Sequence, residues 1–327
     1  MRKIEFKTVI LSLISVGLLV CPLGSSVALS EEYPTKPVEI VIPFTAGGRT
    51  DIGTRMIAPF LGKYLGGRVV VINKVGGGGI IGMTYVRDAK PDGYTITSGG
   101  MALSYYQYQK PGGLSLWDYT WIARSYWTPM VLAVNTKSPF NTLKELVDYA
   151  KANPGKLRHG NTSTGSTTHI ASEKFGKKFG LKFTQVPYKG DGDVSVAIGT
   201  GDVDFGFGLY VSFRPLFEEG KLRLLGVADG KRDRLYPQIP TFREQGFDHI
   251  EPTWEAIQTP KGLPKSVYDK LSEACKKTLT DPELIEKFST IGLNISYQPA
   301  PEFTEYLKDW DKEVKEIIFE LGLQLKK

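Results

Sequence analysis

Short apolar runs alternate with longer segments of helical periodicity along most of the chain. Runs rich in β-branched residues predict strands at 38–42, 68–72, 94–97, 130–134, 203–208 and 223–228. Amphipathic spacing predicts helices between them, at 50–64, 80–89, 142–152 and 169–176, and a mainly helical segment beyond 252. Thr50 is expected to cap the first helix, and Thr142 with Glu145 to form a capping box at the third. This alternation predicts an α/β fold, with parallel strands and helices on both faces of the sheet.

The first 28 residues follow a different pattern. Basic Arg2 and Lys3 precede an apolar run at 9–20, and small residues follow at 26–28. This order is typical of a secretory signal peptide, with cleavage expected after Ala28. The run is shorter than the ~20 residues that a membrane-spanning helix needs. A lipid anchor on Cys21 is the alternative, but the bulky Val20 before it favours cleavage and a periplasmic protein.

Composition narrows the classes of function. The chain has 327 residues, enough for about two domains at ~150 residues each. Its formal charge of +6 falls to +4 without residues 1–28, and the basic residues are dispersed, so no nucleic-acid partner is expected. Two cysteines and three histidines argue against a metal site, and no Walker A motif or complete dinucleotide fingerprint is present. We therefore expect no metal and no cofactor.

Three polar loops follow predicted strands, where open α/β sheets bind ligands. The first, 45–51, contains Gly47 and Gly48, so backbone amides at a helix N-terminus can approach an anion. A plain tight turn is the alternative. Arg49 either reaches into the cleft and binds a carboxylate or points to solvent. The other loops are 161–168, which is rich in hydroxyl and amide side chains, and 188–191, and each of them could be only a solvated turn.

Catalysis has weaker support. Ser163 or Ser166 with His169 could act as the nucleophile and base of a secreted hydrolase, but no G-x-S-x-G motif surrounds them. Acidic pairs such as Asp202 and Asp204 near turns usually cap helices or remain solvated. The sequence therefore predicts a binding protein rather than an enzyme, with the hydrolase kept as the alternative.

Several motifs together resemble one family. They lie at 33–38 (YPTKPV), 43–51 (PFTAGGRTD), 89–95 (AKPDGYT), 149–157 (YAKANPGKL), 186–190 (VPYKG) and 201–204 (GDVD). In this order they are similar to the Bug family, the extracytoplasmic solute-binding proteins of tripartite tricarboxylate transporters. The resemblance covers essentially all of the chain after the predicted signal peptide.

The resemblance implies a type II periplasmic binding protein (Venus flytrap) fold, in which two α/β domains are joined by two crossover strands. Domain 1 would comprise 29–132 plus 253–327, and domain 2 would comprise 133–252. The implied function is capture of a small organic carboxylate by domain closure and its delivery to the membrane subunits of such a transporter. We expect a monomer. A ligand-sensing subunit for a receptor kinase is a further alternative.

The resemblance also implies which residues bind the ligand. With Arg49 added for its charge, the expected set is Phe44, Ala46, Gly47, Gly48, Arg49, Thr50, Asp51, Ser163, Gly165, Ser166, Thr167, His169, Tyr188, Lys189, Gly190 and Asp204. In the family that the chain resembles, Pro is common where Ala46 stands, and Ser or a similar small residue is common where Arg49 stands. The aromatic residues Tyr105, Tyr106, Tyr108 and Trp127 either line a pocket for an aromatic acid or pack the hinge.

Overall fold

The computed structural model describes residues 33–44, 46–109 and 113–324. The predicted signal peptide and Cys21 lie outside these residues. The described residues belong to one unit, Tyr33–Lys327, which contains two sheets joined through a shared strand.

The first sheet is built on parallel strands that alternate with helices, as the sequence predicts. Its first elements are β1 (Val38–Ile42), α1 (Arg49–Leu65), β2 (Val69–Asn73), α2 (Ile80–Arg87), β3 (Thr95–Gly100) and α3 (Met101–Gln109). Strand β1 lies between β2 and β3, and its register with β2 runs from Val38 opposite Val69 to Ile42 opposite Asn73. The carboxyl ends of these strands therefore point to one edge of the sheet.

The second sheet repeats the pattern. Its elements are α4 (Leu143–Ala152), β5 (Arg158–Asn161), α5 (Thr167–Phe179), β6 (Thr184–Pro187), α6 (Asp191–Thr200), β7 (Phe205–Leu209), α7 (Tyr210–Glu218) and β8 (Leu222–Val227). Strand β5 pairs in parallel with β6 and β7. The predicted capping box of Thr142 and Glu145 is present at the start of α4.

Strand β4 (Tyr119–Asn135) belongs to both sheets. Up to Pro129 it pairs antiparallel with β9 (Pro252–Pro260), and its first half also pairs with β10 (Ile295–Pro299). From Met130 onward it pairs with β7, and from Val131 with β8. The sequence predicted only the second half of this strand, because the first half has less regular apolar spacing. The predicted domain boundaries at 132/133 and 252/253 stay a prediction.

Three helices complete the chain: α8 (Lys265–Leu279), α9 (Pro282–Thr290) and α10 (Ala300–Glu320). Cys275 on α8 is fully buried in the core, and burial raises the pKa of its thiol to about 12. This agrees with the expectation of a packing role rather than a nucleophile. None of the described helices combines the length and apolar character needed to cross a membrane.

Helix α10 packs against α5, which belongs to the second sheet. The buried ammonium group of Lys174 on α5 lies 2.8 Å from Glu251 Oε2 and 3.2 Å from Glu313 Oε1 on α10. It also lies 4.4 Å from the centre of the Trp310 ring. An exposed pair, Lys177 with Glu320, joins the same two helices. Ionic contacts therefore tie elements of the two sheets together.

Candidate functional site

A cavity of about 650 Å³ lies where the carboxyl ends of the parallel strands meet. Five helices start around it, α1, α3, α5, α6 and α7, and the lining includes their first residues or, for α7, the residue just before it. A helix N-terminus has partial positive charge and unpaired N–H groups, so these starts favour a bound anion. The cavity therefore has the setting that the sequence predicted for ligand binding.

Most of the predicted site residues line this cavity. Among the described residues, the predicted ones in the lining are Phe44, Gly48, Arg49, Thr50, Ser163, Gly165, Ser166, Thr167, Lys189 and Gly190. The lining also includes Gln109, Asp191, Thr253 and Glu255, which were not in the predicted set. Outside the lining lie Ala46, Gly47, Asp51, His169, Tyr188 and Asp204.

Asp51 supports the first loop from beneath. Its carboxylate accepts hydrogen bonds from the Gly47 N–H at 3.0 Å, from Asn73 Nδ2 at 2.9 Å and from Arg55 Nε at 3.0 Å. Asn73 Nδ2 also donates to the carbonyl oxygen of Phe44. Burial alone would raise the pKa of Asp51, but the hydrogen bonds from Arg55, Gly47 and Asn73 outweigh it and lower the pKa to about 2. Asp51 is thus placed to shape the loop.

The substitution Asp51→Asn is expected to lower thermal stability at neutral pH, since the ionised carboxylate is the form that its partners bind. Because the folded-state pKa lies below the ordinary value of 3.8 for an aspartate, this contribution is complete above pH 4 and is lost as pH falls through about 2. Thermal unfolding from pH 7 to pH 2 should therefore show the difference from wild type shrinking below pH 4. A difference that does not change with pH would contradict this role.

Arg49 lines the cavity and is not directed to solvent, whereas its binding of a carboxylate stays a prediction. Its guanidinium donates from Nη1 to Thr253 Oγ1 and from Nη2 to Glu255 Oε1, both at 3.1 Å. The Thr50 hydroxyl donates to the same Glu255 oxygen at 2.8 Å. Since a guanidinium has five N–H donors, several are left for a ligand.

Glu255 is 3% exposed and sets the position of Arg49. Burial raises the pKa of this carboxyl, while Arg49 and the Thr50 hydroxyl oppose the rise. Sequence reasoning missed Glu255 because it lies within the buried strand β9, more than 200 residues from Arg49. No local motif marks it.

Thr50 does not cap α1, in contrast to the prediction. The helix begins at Arg49, and Gly48 is the N-cap residue with no side-chain cap. The hydroxyl of Thr50 is directed to Glu255 instead. A tertiary contact has therefore overridden the local capping preference.

The second loop is held by its own side chains. Ser166 caps α5 by accepting a hydrogen bond from the His169 N–H, and Thr168 Oγ1 accepts from the Thr162 N–H at 3.0 Å. The Gly165 N–H donates to His169 Nδ1 at 2.8 Å. Gln109 on α3 donates to the Gly165 carbonyl at 3.1 Å, so one contact crosses the cavity from the first sheet to the second.

His169 is not placed as a catalytic base. Burial lowers its pKa, and because Nδ1 accepts a backbone N–H, the ring is neutral with its proton on Nε2. Among the described residues, no hydrogen bond joins the ring to the hydroxyl of Ser163 or Ser166. The geometry therefore lacks the nucleophile–base contact that a hydrolase would use.

The remaining candidates divide between residues that line the cavity and residues that lie away from it. Tyr105 and Tyr106 line the cavity. The Tyr108 hydroxyl instead bonds to Asp311 at 2.7 Å, and the Trp127 ring packs on Tyr306. Asp204 forms an ion pair with Arg158 at the amino end of the strands, away from the cavity.

The fold and the cavity define a class: a two-sheet α/β binding protein of the periplasmic type, with a polar ligand cavity between its sheets. Residues 54–323 match the tripartite tricarboxylate transporter family receptor, named TctC, and the chain belongs to this family. This confirms the resemblance to the Bug/TctC proteins, a family of binding proteins and not of enzymes.

Two relatives show how far the similarity extends. The UPF0065 protein in the gbd 5′ region of Cupriavidus necator is 32% identical over 297 residues, which cover 90% of each chain. Protein BugT of Bordetella pertussis is 27% identical over 317 residues, covering 95% of this chain and 97% of BugT. The match thus includes nearly the whole length of each protein.

Solved structures agree with the fold. A TctC solute-binding protein from Polaromonas has a TM-score of 0.79 at 27% identity, covering 88% of this chain and 99% of its own. An R. palustris protein solved with adipate has a TM-score of 0.74 at 27% identity, with coverage of 89% and 98%. MatC from Rhodopseudomonas palustris, solved with bound malate, has a TM-score of 0.69 at 25% identity, with coverage of 88% and 100%.

Proposed function

We propose that this chain is an extracytoplasmic solute-binding protein that captures a small organic carboxylate and delivers it to the membrane subunits of a tripartite tricarboxylate transporter. The observation that carries the proposal is the convergence of five helix starts and the Arg49 guanidinium on one cavity. These groups favour a small anion. The dicarboxylates adipate and malate, present in the two R. palustris structures, support this class of ligand.

Binding would act through closure of two domains with the boundaries that the sequence predicts. Loops from both sheets line the cavity, so a ligand that contacts both stabilises the closed arrangement. The bond from Gln109 to Gly165 is one contact that closure would make or strengthen. The membrane partner would then recognise the closed form, at the periplasmic location that the predicted signal peptide indicates.

A thermal-shift screen over mono-, di- and tricarboxylates, aliphatic and aromatic, tests the ligand class. A ligand present at 100 times its Kd should stabilise the protein by about 2.7 kcal/mol. If no carboxylate raises the unfolding temperature, the proposed ligand class is wrong. Recovery of transporter membrane subunits with the liganded protein would favour delivery, whereas recovery of a receptor kinase would favour the sensing role.

The variant Gly48→Glu is expected to abolish binding without unfolding the protein. Gly48 has φ −75° and ψ 167°, a conformation open to any residue, so the new carboxylate is tolerated by the backbone. It would place negative charge in the cavity at the N-terminus of α1, where the ligand carboxylate is expected.

Gly192→Glu is the matched control, because Gly192 lies on α6 outside the cavity lining and no side chain or backbone atom would meet its added Cβ within 4 Å. Calorimetry with the best carboxylate from the screen should show loss of binding only for Gly48→Glu. Near-wild-type affinity in that variant would refute the assignment of the site.

A further inference from the structure

The cavity wall has balanced charge, although its helix starts favour an anion. Its charged side chains among the described residues are two cations, Arg49 and Lys189, and two carboxylates, Asp191 and Glu255. A ligand with several negative charges and no positive one would place some of that charge near these carboxylates. A ligand that complements this wall would therefore need negative charge for the cations and positive charge for any carboxylate that the protein itself leaves unpaired.

The two carboxylates are not equivalent. Glu255 is nearly fully buried, and its Oε1 accepts hydrogen bonds from both Arg49 and Thr50. Its charge is thus used within the protein to hold Arg49. Asp191 lies on the opposite side of the cavity, at the first residue of α6, and is only partly buried.

Asp191 has no such cationic partner. It forms no ion pair within 4 Å among the described residues, although it lies near enough to Arg49 to feel its charge. Burial raises the pKa of the Asp191 carboxyl, while Arg49 and the nearby Ser212 hydroxyl oppose the rise. A partly buried carboxylate that faces a ligand cavity without a counter-ion is a natural partner for a cationic group of the ligand.

We propose that the ligand is a carboxylate that also has a cationic amino group, and that Asp191 accepts a hydrogen bond from this group while Arg49 binds the carboxylate. This inference rests on the proposed function and specifies its ligand further. It makes Asp191 a specificity-determining residue, because a carboxylate without the amino group leaves Asp191 without a counter-ion in the closed cavity.

A purely structural role for Asp191 is the competing explanation, since an acidic residue in the first turn stabilises a helix through its dipole. Asp193 provides the comparison, because it also lies in the first turn of α6 but is exposed and outside the cavity lining. If the role is structural, both residues should contribute similarly through the helix dipole. If the role is recognition of a ligand amino group, only Asp191 should contribute.

The experiment compares matched compounds on three proteins: wild type, Asp191→Asn and Asp193→Asn. The probes form four sets in which the members differ only in one substituent. Two sets contain an unsubstituted, a hydroxy and an amino acid: succinate, malate and aspartate, and glutarate, 2-hydroxyglutarate and glutamate. Two sets contain only the unsubstituted and the amino compound: butyrate and 4-aminobutyrate, and 4-methylbenzoate and 4-(aminomethyl)benzoate. Calorimetry gives the Kd of each, and thermal unfolding shows that each variant is folded.

In wild type we expect the amino member of at least one set to bind about tenfold or more tightly than its unsubstituted partner. Asp191→Asn should remove most of that preference, because it weakens binding of the amino member and leaves the unsubstituted acid bound at least as tightly as in wild type. Asp193→Asn should keep the preference. Three results would overturn the inference: equal binding with and without the amino group, preference for the hydroxy member alone, or a preference that is unchanged in Asp191→Asn. Each of them would leave the proposal of carboxylate binding intact. If no probe binds and the wider carboxylate screen also fails, the proposed function fails with it.

Discussion

Replacing Arg49 by methionine is expected to weaken carboxylate binding by about 10- to 100-fold, which corresponds to the ~1.5–3 kcal/mol of a hydrogen bond to a charged group. Arg49 is a cation in the cavity wall whose guanidinium is fixed by Thr253 and Glu255. Its remaining donors can bind both oxygens of a carboxylate. Calorimetry with the best ligand from the carboxylate screen measures the loss.

The same substitution should also destabilise the protein without ligand, by about 2 kcal/mol, because Glu255 is left buried without its cation. Burial already raises the pKa of Glu255, and removal of Arg49 raises it further. A carboxyl with a raised folded-state pKa costs stability as pH rises above its unfolded value. The stability deficit of Arg49→Met should therefore grow from pH 4 towards pH 7.

Three further variants separate these two effects. The double variant Arg49→Met/Glu255→Gln should regain stability at pH 7 but not affinity. Arg49→Lys should retain charge but bind more weakly than wild type, since an ammonium lacks the planar fork. Lys63→Met, on the exposed surface of the same helix, should change neither property by much. Wild-type affinity in Arg49→Met would contradict the role given to Arg49.

The substitution Lys174→Met is expected to produce the largest loss of stability, about 3–5 kcal/mol, because it leaves the fully buried Glu251 without a cation. Lys174 is itself buried, so solvent does little to screen the pair. Lys177→Met is the matched control on the same helix: its exposed pair with Glu320 should contribute less than about 1 kcal/mol. Urea unfolding at pH 7 measures both losses.

Equal losses in the two lysine variants would show that burial of the Lys174 pair has no special effect. The variant Lys174→Met/Glu251→Gln provides the second test. It should recover a good part of the lost stability, because the uncompensated charge is then absent. No recovery would assign the loss instead to the contact between the Lys174 ammonium group and the Trp310 ring.

The sequence was sufficient for β1 to β3 with their first two helices and for α4 and α5, because these elements are set by local periodicity and turn residues. It did not predict the helices α3, α6 and α7, nor the strands β9 and β10 in the segment that was expected to be mainly helical. It did locate the three loops at the cavity, since the carboxyl ends of parallel strands share one edge of a sheet. The capping box of α4 and the buried Cys275 were predictable for the same local reasons.

The parts that could not be predicted depend on contacts between distant positions. Glu255 meets Arg49 only because β9 returns beside the start of α1, and nothing near either residue in the sequence indicates the pair. Asp51 was expected to contact the ligand, but its place beneath the loop depends on Asn73 from β2. The resemblance could identify which loops matter, but not which way each side chain points within them.

The cavity wall shares few residues with the clusters of buried hydrophobic side chains that pack against the two sheets, and this has a consequence for how such proteins diversify. Among the described lining residues, only Met101, Tyr105 and Met130 also belong to these clusters. Most of the wall is therefore made of loop and helix-start residues whose replacement opens no hole in the core. Gene duplication followed by a few substitutions at positions such as 109, 189 and 191 could give a paralogue with a new solute while keeping folding and partner recognition unchanged.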